Sequence, residues 1–259
     1  MHEESVRFFE DLFRRDGSVL EILDADYTFL NGALAKHYGI DGVSGESWQR
    51  VDGMRQRSRG GVLGMAAVLS TQSGATRTSP VLRGNWVVET LLGEKLPDPP
   101  ATVPELPDAL SREGLTVRQM TERHVSDESC AGCHVRIDPF GFALESFDAI
   151  GRFRLKDLID QPLDTRVQLE DGTEFRGVDG LRSYLLKERR SDFLEQFCRK
   201  LLGFAVGRTV ELSDQPLIDA MVQELEENSF RFLAAVETIV RSKQFRYHRG
   251  LESTREESI

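Results

Sequence analysis

Hydrophobic residues recur at helical spacing along most of this chain, which predicts a mainly α protein. An amphipathic helix is already under way in the first residues. Further helices are predicted from residue 26 towards Tyr38 and over 80–92, where Pro80 suits a first helical turn. Residues 41–80 are rich in Gly, Ser and Thr, so we expect loops there with one short buried segment.

The second half of the chain shows the same helical spacing with one interruption. Helices are predicted over about 178–188, 191–206 and 214–245. The last of these breaks near Asn228. Between residues 167 and 175, apolar and polar residues alternate around Asp171-Gly172, a pattern typical of a β-hairpin. The predicted fold is therefore built from helical modules with one short β-hairpin.

A proline-rich segment separates the two helical regions. Five of the nine prolines lie within residues 96–107, where neither a helix nor a central strand can persist. We therefore expect an extended, polyproline-like linker there. This Pro-rich linker is the best candidate for a boundary between helical modules.

Composition excludes several classes of protein. The chain has 259 residues, of which 39% are hydrophobic and 15 are Phe, so it can bury a substantial core. Its formal net charge of −10 argues against a general nucleic-acid binder, and the absence of a run of 18 apolar residues predicts no membrane span. Three Cys do not make a disulfide framework, and the first residues lack the basic start and apolar stretch of an export signal.

One motif carries specific chemistry. It is Cys130-Ala131-Gly132-Cys133-His134, the Cys-x-x-Cys-His pattern of c-type haem attachment. Two thiols on one helical turn reach the two vinyl groups of a haem and form thioethers, and the adjacent His ligates the iron. With 3 Cys and 5 His in the chain, the expected number of chance matches is on the order of 0.001. We therefore expect one covalent haem c, held by Cys130 and Cys133, with His134 as axial ligand.

Two other uses of these cysteines stay open. A structural zinc site needs further ligands, which would have to come from Cys198 or from the scattered His37, His124 and His248. A redox-active or structural cysteine pair is the other alternative, although the flanking sequence lacks the strand–helix–strand pattern that is typical of such a pair.

The stretch that follows the motif, residues 135–154, is dense in Phe, Ile and Leu. An apolar wall beside the iron would exclude water and raise the reduction potential, and the same side chains are equally typical of ordinary core. Arg136, Arg152 and Arg154 are candidates for pairing with the haem propionates, and each is equally compatible with a plain surface arginine.

No motif identifies the second axial ligand of the iron. The candidates are Met54, Met65, Met120, Met221, His37, His124 and His248. Met65 is preferred among them because small residues on both sides would permit close approach to a porphyrin ring. An open or water-bound position is the alternative. Cys198 lies on a helix face among apolar residues and is expected to be a buried free thiol.

From Cys130 to Arg152 the chain resembles the planctomycete-type c-type cytochrome family. The resemblance rests on the Cys-x-x-Cys-His motif and on the stretch Asp-Pro-x-Gly-Phe-Ala-Leu-Glu-x-Phe-Asp-Ala-x-Gly-Arg. Segments within 23–39, at 78–86 and within 171–208 resemble the same family in the same order. Members of this family are large, exported, multi-domain proteins whose modules are known mainly as domains of unknown function.

The resemblance implies an organisation in four parts. Residues 1–58 would be the end of a preceding helical module, 59–157 the haem module with its linker, 158–250 a C-terminal module, and 251–259 a frayed tail. It also implies that the chain is the C-terminal piece of a longer periplasmic or otherwise exported protein. Its partners would then be upstream domains or a redox partner protein.

The expected function is electron transfer by a single haem c in a mainly α protein with a cytochrome-c-like haem site. Two alternatives remain: a haem enzyme with an open distal site, and a structural interaction module in which the cysteines hold zinc or form a disulfide. No separate constellation of catalytic residues stands out in the sequence.

Overall fold

A computed structural model describes residues 1–97, 114–124 and 128–247, apart from the side chains of residues 124 and 128–130. These described residues are mainly helical, with 56% helix and two small antiparallel sheets. The predicted mainly α class is therefore confirmed, with one sheet more than predicted. Most of the predicted Pro-rich linker and the whole predicted tail lie outside the described residues.

Short helices around a two-stranded sheet form the N-terminal part of the protein. In chain order these elements are α1 (His2–Arg14), α2 (Glu21–Asp24), β1 (Tyr27–Leu30), α3 (Gly32–Tyr38), β2 (Gln49–Asp52) and α4 (Ala66–Thr71), with 3₁₀ turns at Arg55–Arg57 and Val62–Gly64. The predicted amphipathic helix at the start of the chain is confirmed, because α1 buries Phe8 and Leu12 on one face.

The predicted helix from residue 26 is wrong in its first part, because Tyr27–Leu30 form strand β1. β1 pairs antiparallel with β2, and Tyr27 lies opposite Asp52. Aromatic and β-branched residues favour a strand in β1, but β2 is polar and mostly exposed, so it lacks the alternation that reveals a strand in a sequence. The helix begins only at α3, where the Asn31 side chain accepts a hydrogen bond from the first turn.

In the middle of the chain, the described residues form three helices. They are α5 (Pro80–Asn85), which continues as a π-helical turn over Trp86–Leu91, then α6 (Val117–His124) and α7 (Glu128–Ala143). The helix predicted over 80–92 is thereby confirmed. Its start also follows the expected chemistry, since Ser79 Oγ accepts from the Leu82 N–H at 3.2 Å and Pro80 occupies the first turn.

Glycines allow α5 and α7 to cross at very short range. A Cβ on Gly84 of α5 would lie 1.9 Å from the carbonyl oxygen of Ile137, and a Cβ on Gly141 of α7 would lie 1.9 Å from that of Pro80. Both separations are far below van der Waals contact, so the crossing requires glycine at both positions. The crossing sets the position of α7, the helix that carries the Cys-x-x-Cys-His motif.

A hairpin and a set of helices form the C-terminal part. These elements are β3 (Arg166–Gln168), β4 (Glu174–Arg176), α8 (Gly177–Lys187), α9 (Arg190–Val206), α10 (Gln215–Glu227), α11 (Phe232–Arg241) and α12 (Lys243–Arg246). The predicted hairpin is confirmed, with Val167 opposite Phe175, and so are the predicted helices and the break near Asn228. No helix in the described parts of the chain is long and apolar enough to cross a membrane.

Residues from all along the chain share one hydrophobic core. It includes Phe8 of α1, Val87 of the π-helical turn, Phe147 after α7, Leu181 of α8 and Ile218 of α10. A smaller cluster next to α3 and β1 has its own apolar side chains. The helices on the two sides of the Pro-rich linker therefore pack into the same core.

Buried arginines tie distant parts of the backbone together. Arg59 donates to the carbonyl oxygens of Gly64 and Gly151, both at 2.7 Å, and its guanidinium lies 3.6 Å from the centroid of the Tyr38 ring. Arg182 of α8 donates to the carbonyl oxygen of Arg59 at 2.6 Å. Each cation thus satisfies carbonyl groups that would otherwise be buried without a partner, and it fixes loops whose sequence has no regular pattern.

Candidate functional site

The helix α7 carries the Cys-x-x-Cys-His motif in its first two turns. The side chain of Cys130 lies outside the described residues, whereas Cys133 is a half-buried free thiol. The imidazole of His134 is mostly buried, with 12% of the side chain exposed. Since adjacent residues of an α-helix point about 100° apart, the side chains of Cys133 and His134 leave the helix in different directions.

A carboxylate holds the imidazole of His134. Both oxygens of Asp138 lie within hydrogen-bond distance of His134 Nδ1, at 3.0 and 2.9 Å, and only 8% of the Asp138 side chain is exposed. The two residues are four positions apart, so they lie on the same face of α7. An Nδ1–H that donates to a carboxylate places the lone pair on Nε2, the nitrogen that a metal would then use.

A cavity of about 270 Å³ lies beside His134 and Asp138. Its lining combines apolar and polar side chains: Val135, Pro139, Phe142 and Val167, with Arg118, Glu122 and Gln168. A second cavity of about 580 Å³ runs along the β3–β4 hairpin and shares Arg118, Val167 and Gln168 with the first. The two cavities therefore adjoin, and together they offer a partly apolar recess to a flat, mostly apolar group.

Arg118 of α6 connects the two cavities. Its Nη1 donates to the carbonyl oxygens of Asp164 and Arg166, at 3.0 and 2.9 Å. Its Nε donates to Glu122 at 2.9 Å, and its guanidinium lies 4.4 Å from the centroid of the Phe142 ring. Arg118 is therefore a cation that lines both cavities of the recess beside His134.

The three arginines predicted to pair with the haem propionates do not line the described cavity beside His134. Arg136 is two residues beyond His134, about 200° around the helix, and pairs with Glu94. Arg152 is exposed, and its Nε lies 3.4 Å from His37 Nδ1. Arg154 pairs with the buried Glu145 at 3.0 Å. Among the described residues, none of these three arginines lines the cavity beside His134, and their role in propionate binding stays a prediction.

Met65, the preferred second axial ligand, is buried in the main core. Its Sδ accepts from Ser5 Oγ of α1 at 3.5 Å. Met221 is buried in the same main core, Met54 is buried in the smaller cluster next to α3 and β1, and Met120 packs against Val117 of α6. None of these methionines is among the described residues that line the cavity beside His134. The assignment of Met65 to the iron stays a prediction.

The histidines that are candidates for the second iron ligand are not shown beside His134 either. His37 Nε2 lies 2.8 Å from the carbonyl oxygen of Ile150, so this ring is engaged by the loop after α7. The side chain of His124 and the whole of His248 lie outside the described residues. In the described part of the chain, no three Cys, His, Asp or Glu side chains are grouped so that they could hold a metal ion.

Cys198 is buried, as predicted, and is a free thiol. Burial, together with the nearby Glu195 carboxylate, raises its pKa to about 12. A thiol with such a pKa stays protonated at neutral pH and is a poor nucleophile or metal ligand.

Sequence reasoning missed Asp138 and Arg118. Asp138 had a readable signal, since it follows His134 by four residues within a helical pattern. Arg118 and Glu122 show the same spacing, but it is indistinguishable in a sequence from an ordinary surface ion pair. Only the tertiary structure brings that pair to the recess.

Comparison with known proteins identifies three domains of unknown function. Residues 1–40 match the family model described as a protein of unknown function, DUF1592. Residues 59–157 match DUF1588, and residues 171–245 match DUF1585, which carry the same description. No curated protein and no solved structure matches the chain. The resemblance seen in the sequence is thus confirmed in part: the three family models that the chain matches are those of planctomycete cytochrome-c-associated domains of unknown function.

Proposed function

We propose that this chain is a c-type cytochrome module with one haem, bound covalently through Cys130 and Cys133 and ligated by His134. The observation that carries the proposal is the Cys-x-x-Cys-His motif at the start of α7, with His134 held by Asp138 beside a partly apolar recess. The module would pass electrons to a redox partner protein or to other domains of a longer, exported chain.

The residues around His134 suit a haem in their chemistry. An imidazole whose Nδ1 contacts a carboxylate is a typical metal ligand. Val135, Pro139 and Phe142 on α7 supply an apolar wall that would exclude water from a porphyrin face. Arg118 supplies a cation at the same recess, which suits the negative charge of a propionate. The structure thus offers a different propionate candidate from Arg136, Arg152 and Arg154.

The haem itself would supply one-electron exchange. The protein would supply the attachment through two thiols, the orientation of His134 by Asp138, and a surrounding of low polarity. In this proposal the module is an electron carrier, and any catalysis belongs to its partners.

The direct test is attachment of haem to an exported form of the chain. We would fuse an export signal to the protein and express it with a cytochrome c maturation system. Intact mass after denaturation and a pyridine haemochrome spectrum then measure covalent haem. We expect one haem per chain in the wild-type protein and none in the Cys130→Ala, Cys133→Ala double variant. Cys198→Ala is the matched control and should load haem as the wild type does.

The same preparation separates the alternatives. A wild-type protein that matures without added mass would overturn the proposal, and zinc analysis of that sample would test the structural interaction module. If haem is attached, tight binding of carbon monoxide or cyanide would indicate an open coordination position and a haem enzyme. Resistance to both ligands would indicate a six-coordinate electron carrier.

A further inference from the structure

We propose that Asp138 is a positioning residue that lowers the reduction potential of the haem through His134. This inference rests on the proposed function and deepens it, because it concerns how the bound iron would behave. The Asp138 carboxylate would draw the Nδ1 proton, make the imidazole a stronger electron donor, and so favour the ferric over the ferrous state.

The geometry supports a strong and fixed interaction. Both Asp138 oxygens lie within 3.0 Å of His134 Nδ1, so either oxygen can accept the hydrogen bond from an Nδ1–H. The two side chains are mostly buried, with 12% and 8% exposed, and a hydrogen bond in such surroundings is stronger than the same bond in water. A charged acceptor also binds an N–H about twice as strongly as a neutral carbonyl does.

The helix gives Asp138 little freedom to move away. Asp138 lies one turn after His134 on the same face of α7, and the following Pro139 also lines the recess. Three residues further on, the backbone of Gly141 packs closely against the backbone of Pro80 where α5 and α7 cross. The helix backbone that carries Asp138 is therefore held by the fold, and the carboxylate is held by its contact with His134.

Asp138 and the apolar wall of the same recess would shift the reduction potential of the haem in opposite directions. A surrounding of low polarity disfavours the extra positive charge of the ferric state and thus raises the potential. A carboxylate on the axial His has the opposite effect, because it stabilises that positive charge. The potential would then be set by a balance in which one residue supplies the lowering contribution.

The test compares two carboxylates at the same recess. Asp138→Asn keeps the shape of the side chain and removes its charge, while Glu122→Gln removes a charge from the cavity wall with no described contact to His134. We would measure the midpoint potential of each haem-loaded protein by spectroelectrochemical titration. A tenfold change in the relative stability of ferric and ferrous protein corresponds to about 59 mV for one electron. We expect a positive shift of this order for Asp138→Asn and a smaller one for Glu122→Gln.

Two further measurements separate a positioning role from a merely structural one. Asp138→Glu retains the carboxylate, so its potential should lie closer to that of the wild type than the potential of Asp138→Asn does. In the haem-free protein, ¹⁵N NMR at about pH 8.5, where an ordinary imidazole is neutral, reports the tautomer of His134. We expect mainly the Nδ1–H form in the wild type and a loss of that preference in Asp138→Asn.

Haem attachment tests the proposed function, whereas the shifts in midpoint potential test the role of Asp138, so failure of one can be told from failure of the other. Covalent haem in the wild type with equal shifts for Asp138→Asn and Glu122→Gln would overturn the inference and leave the cytochrome proposal intact. A wild type without haem would overturn the cytochrome proposal, and with it any effect on a haem potential. In that case the NMR measurement alone would decide whether Asp138 orients His134.

Discussion

The two ends of α7 differ in their surroundings: the open end lies near His134, and the closed end lies near Glu145. Near its start, His134 and Asp138 face a recess that is partly open and lined by a mixture of apolar and charged side chains. Just beyond its end, Glu145 is fully enclosed and pairs with Arg83 and Arg154, at 3.4 and 3.0 Å. The same helix thus joins a region with a recess beside His134 to a region where charged side chains are buried and paired with one another.

The closed end is held by hydrogen bonds to backbone. The Arg83 side chain is only 1% exposed and donates to the carbonyl oxygens of Leu144, Phe147 and Asp148, at 2.9, 2.8 and 2.7 Å. Burial lowers the pKa of the Arg83 guanidinium to about 10, while the nearby Glu145 carboxylate opposes this shift. Arg83 therefore remains charged at neutral pH and fixes the turn that follows α7.

After Asp138, the stretch that resembles the cytochrome family contains residues that maintain the fold. In the stretch after Asp138, Gly141 makes the helix crossing, Glu145 binds Arg83, and the carbonyl of Gly151 accepts from Arg59. These residues maintain the fold that presents α7. The proposed haem attachment and iron ligand, together with Asp138, lie within residues 130–138, so much of the match over the longer stretch reflects residues that maintain the fold.

The largest expected effect concerns the closed end. Arg83→Ala removes one of the two cations beside the buried Glu145 and takes donors from three carbonyl groups, so we expect a loss of about 3–5 kcal/mol in the free energy of unfolding. Urea denaturation followed by circular dichroism measures it. Arg14→Ala, which breaks an exposed ion pair with Glu10, should cost less than about 0.5 kcal/mol. Similar losses in the two variants would refute the distinction between a buried anchor and a surface pair.

A smaller effect is expected at the helix crossing between the two ends. Gly141→Ala places a methyl group against the Pro80 carbonyl, and overpacking of this kind costs about 1–3 kcal/mol or more. Helix propensity alone would predict the opposite, a gain of up to about 1 kcal/mol. Gly203→Ala in α9 is the matched control, because its Cβ would meet no described neighbour closer than 3.5 Å. Thermal unfolding should show a loss for Gly141→Ala and no loss for Gly203→Ala.

The smallest expected effect on stability concerns the face of α7 opposite His134. There Arg136 of α7 and Arg189 pair with Glu94. Partial burial acts to raise the pKa of the Glu94 carboxyl, but the two arginines outweigh it, so the pKa is lowered. A lowered pKa stabilises the folded state above the pKa of the unfolded carboxyl, near 4.5, and this contribution is lost as the pH falls through the folded pKa. We expect Glu94→Gln to cost about 0.5–1 kcal/mol at neutral pH.

The pH dependence makes this prediction specific. The difference between the wild type and Glu94→Gln should shrink as urea denaturation is repeated at pH values below about 4.5. Glu226→Gln at an exposed position of α10 is the control and should give little difference at any pH. A constant difference for Glu94→Gln across the pH range would show that the two arginines do not act on its charge.

Much of the local structure was predictable from the sequence. The hairpin around Asp171-Gly172 and the C-terminal helices follow from periodicity and turn chemistry, and the start of α5 follows from Ser79-Pro80. Strand β1 was missed because its partner β2 is polar, so the pairing depends on tertiary contacts rather than on alternation.

The helical class, the hairpin and the candidate haem ligands follow from the sequence alone, because periodicity and motif spacing are local properties. The surroundings of those ligands depend instead on tertiary contacts. It brings Arg118 from a separate helix to the recess and directs Arg136 towards Glu94 instead. It also makes Arg83 a buried anchor rather than a surface cation. The physical reason is that the partner of a long charged side chain depends on which distant backbone folds over it, and no local pattern encodes that choice.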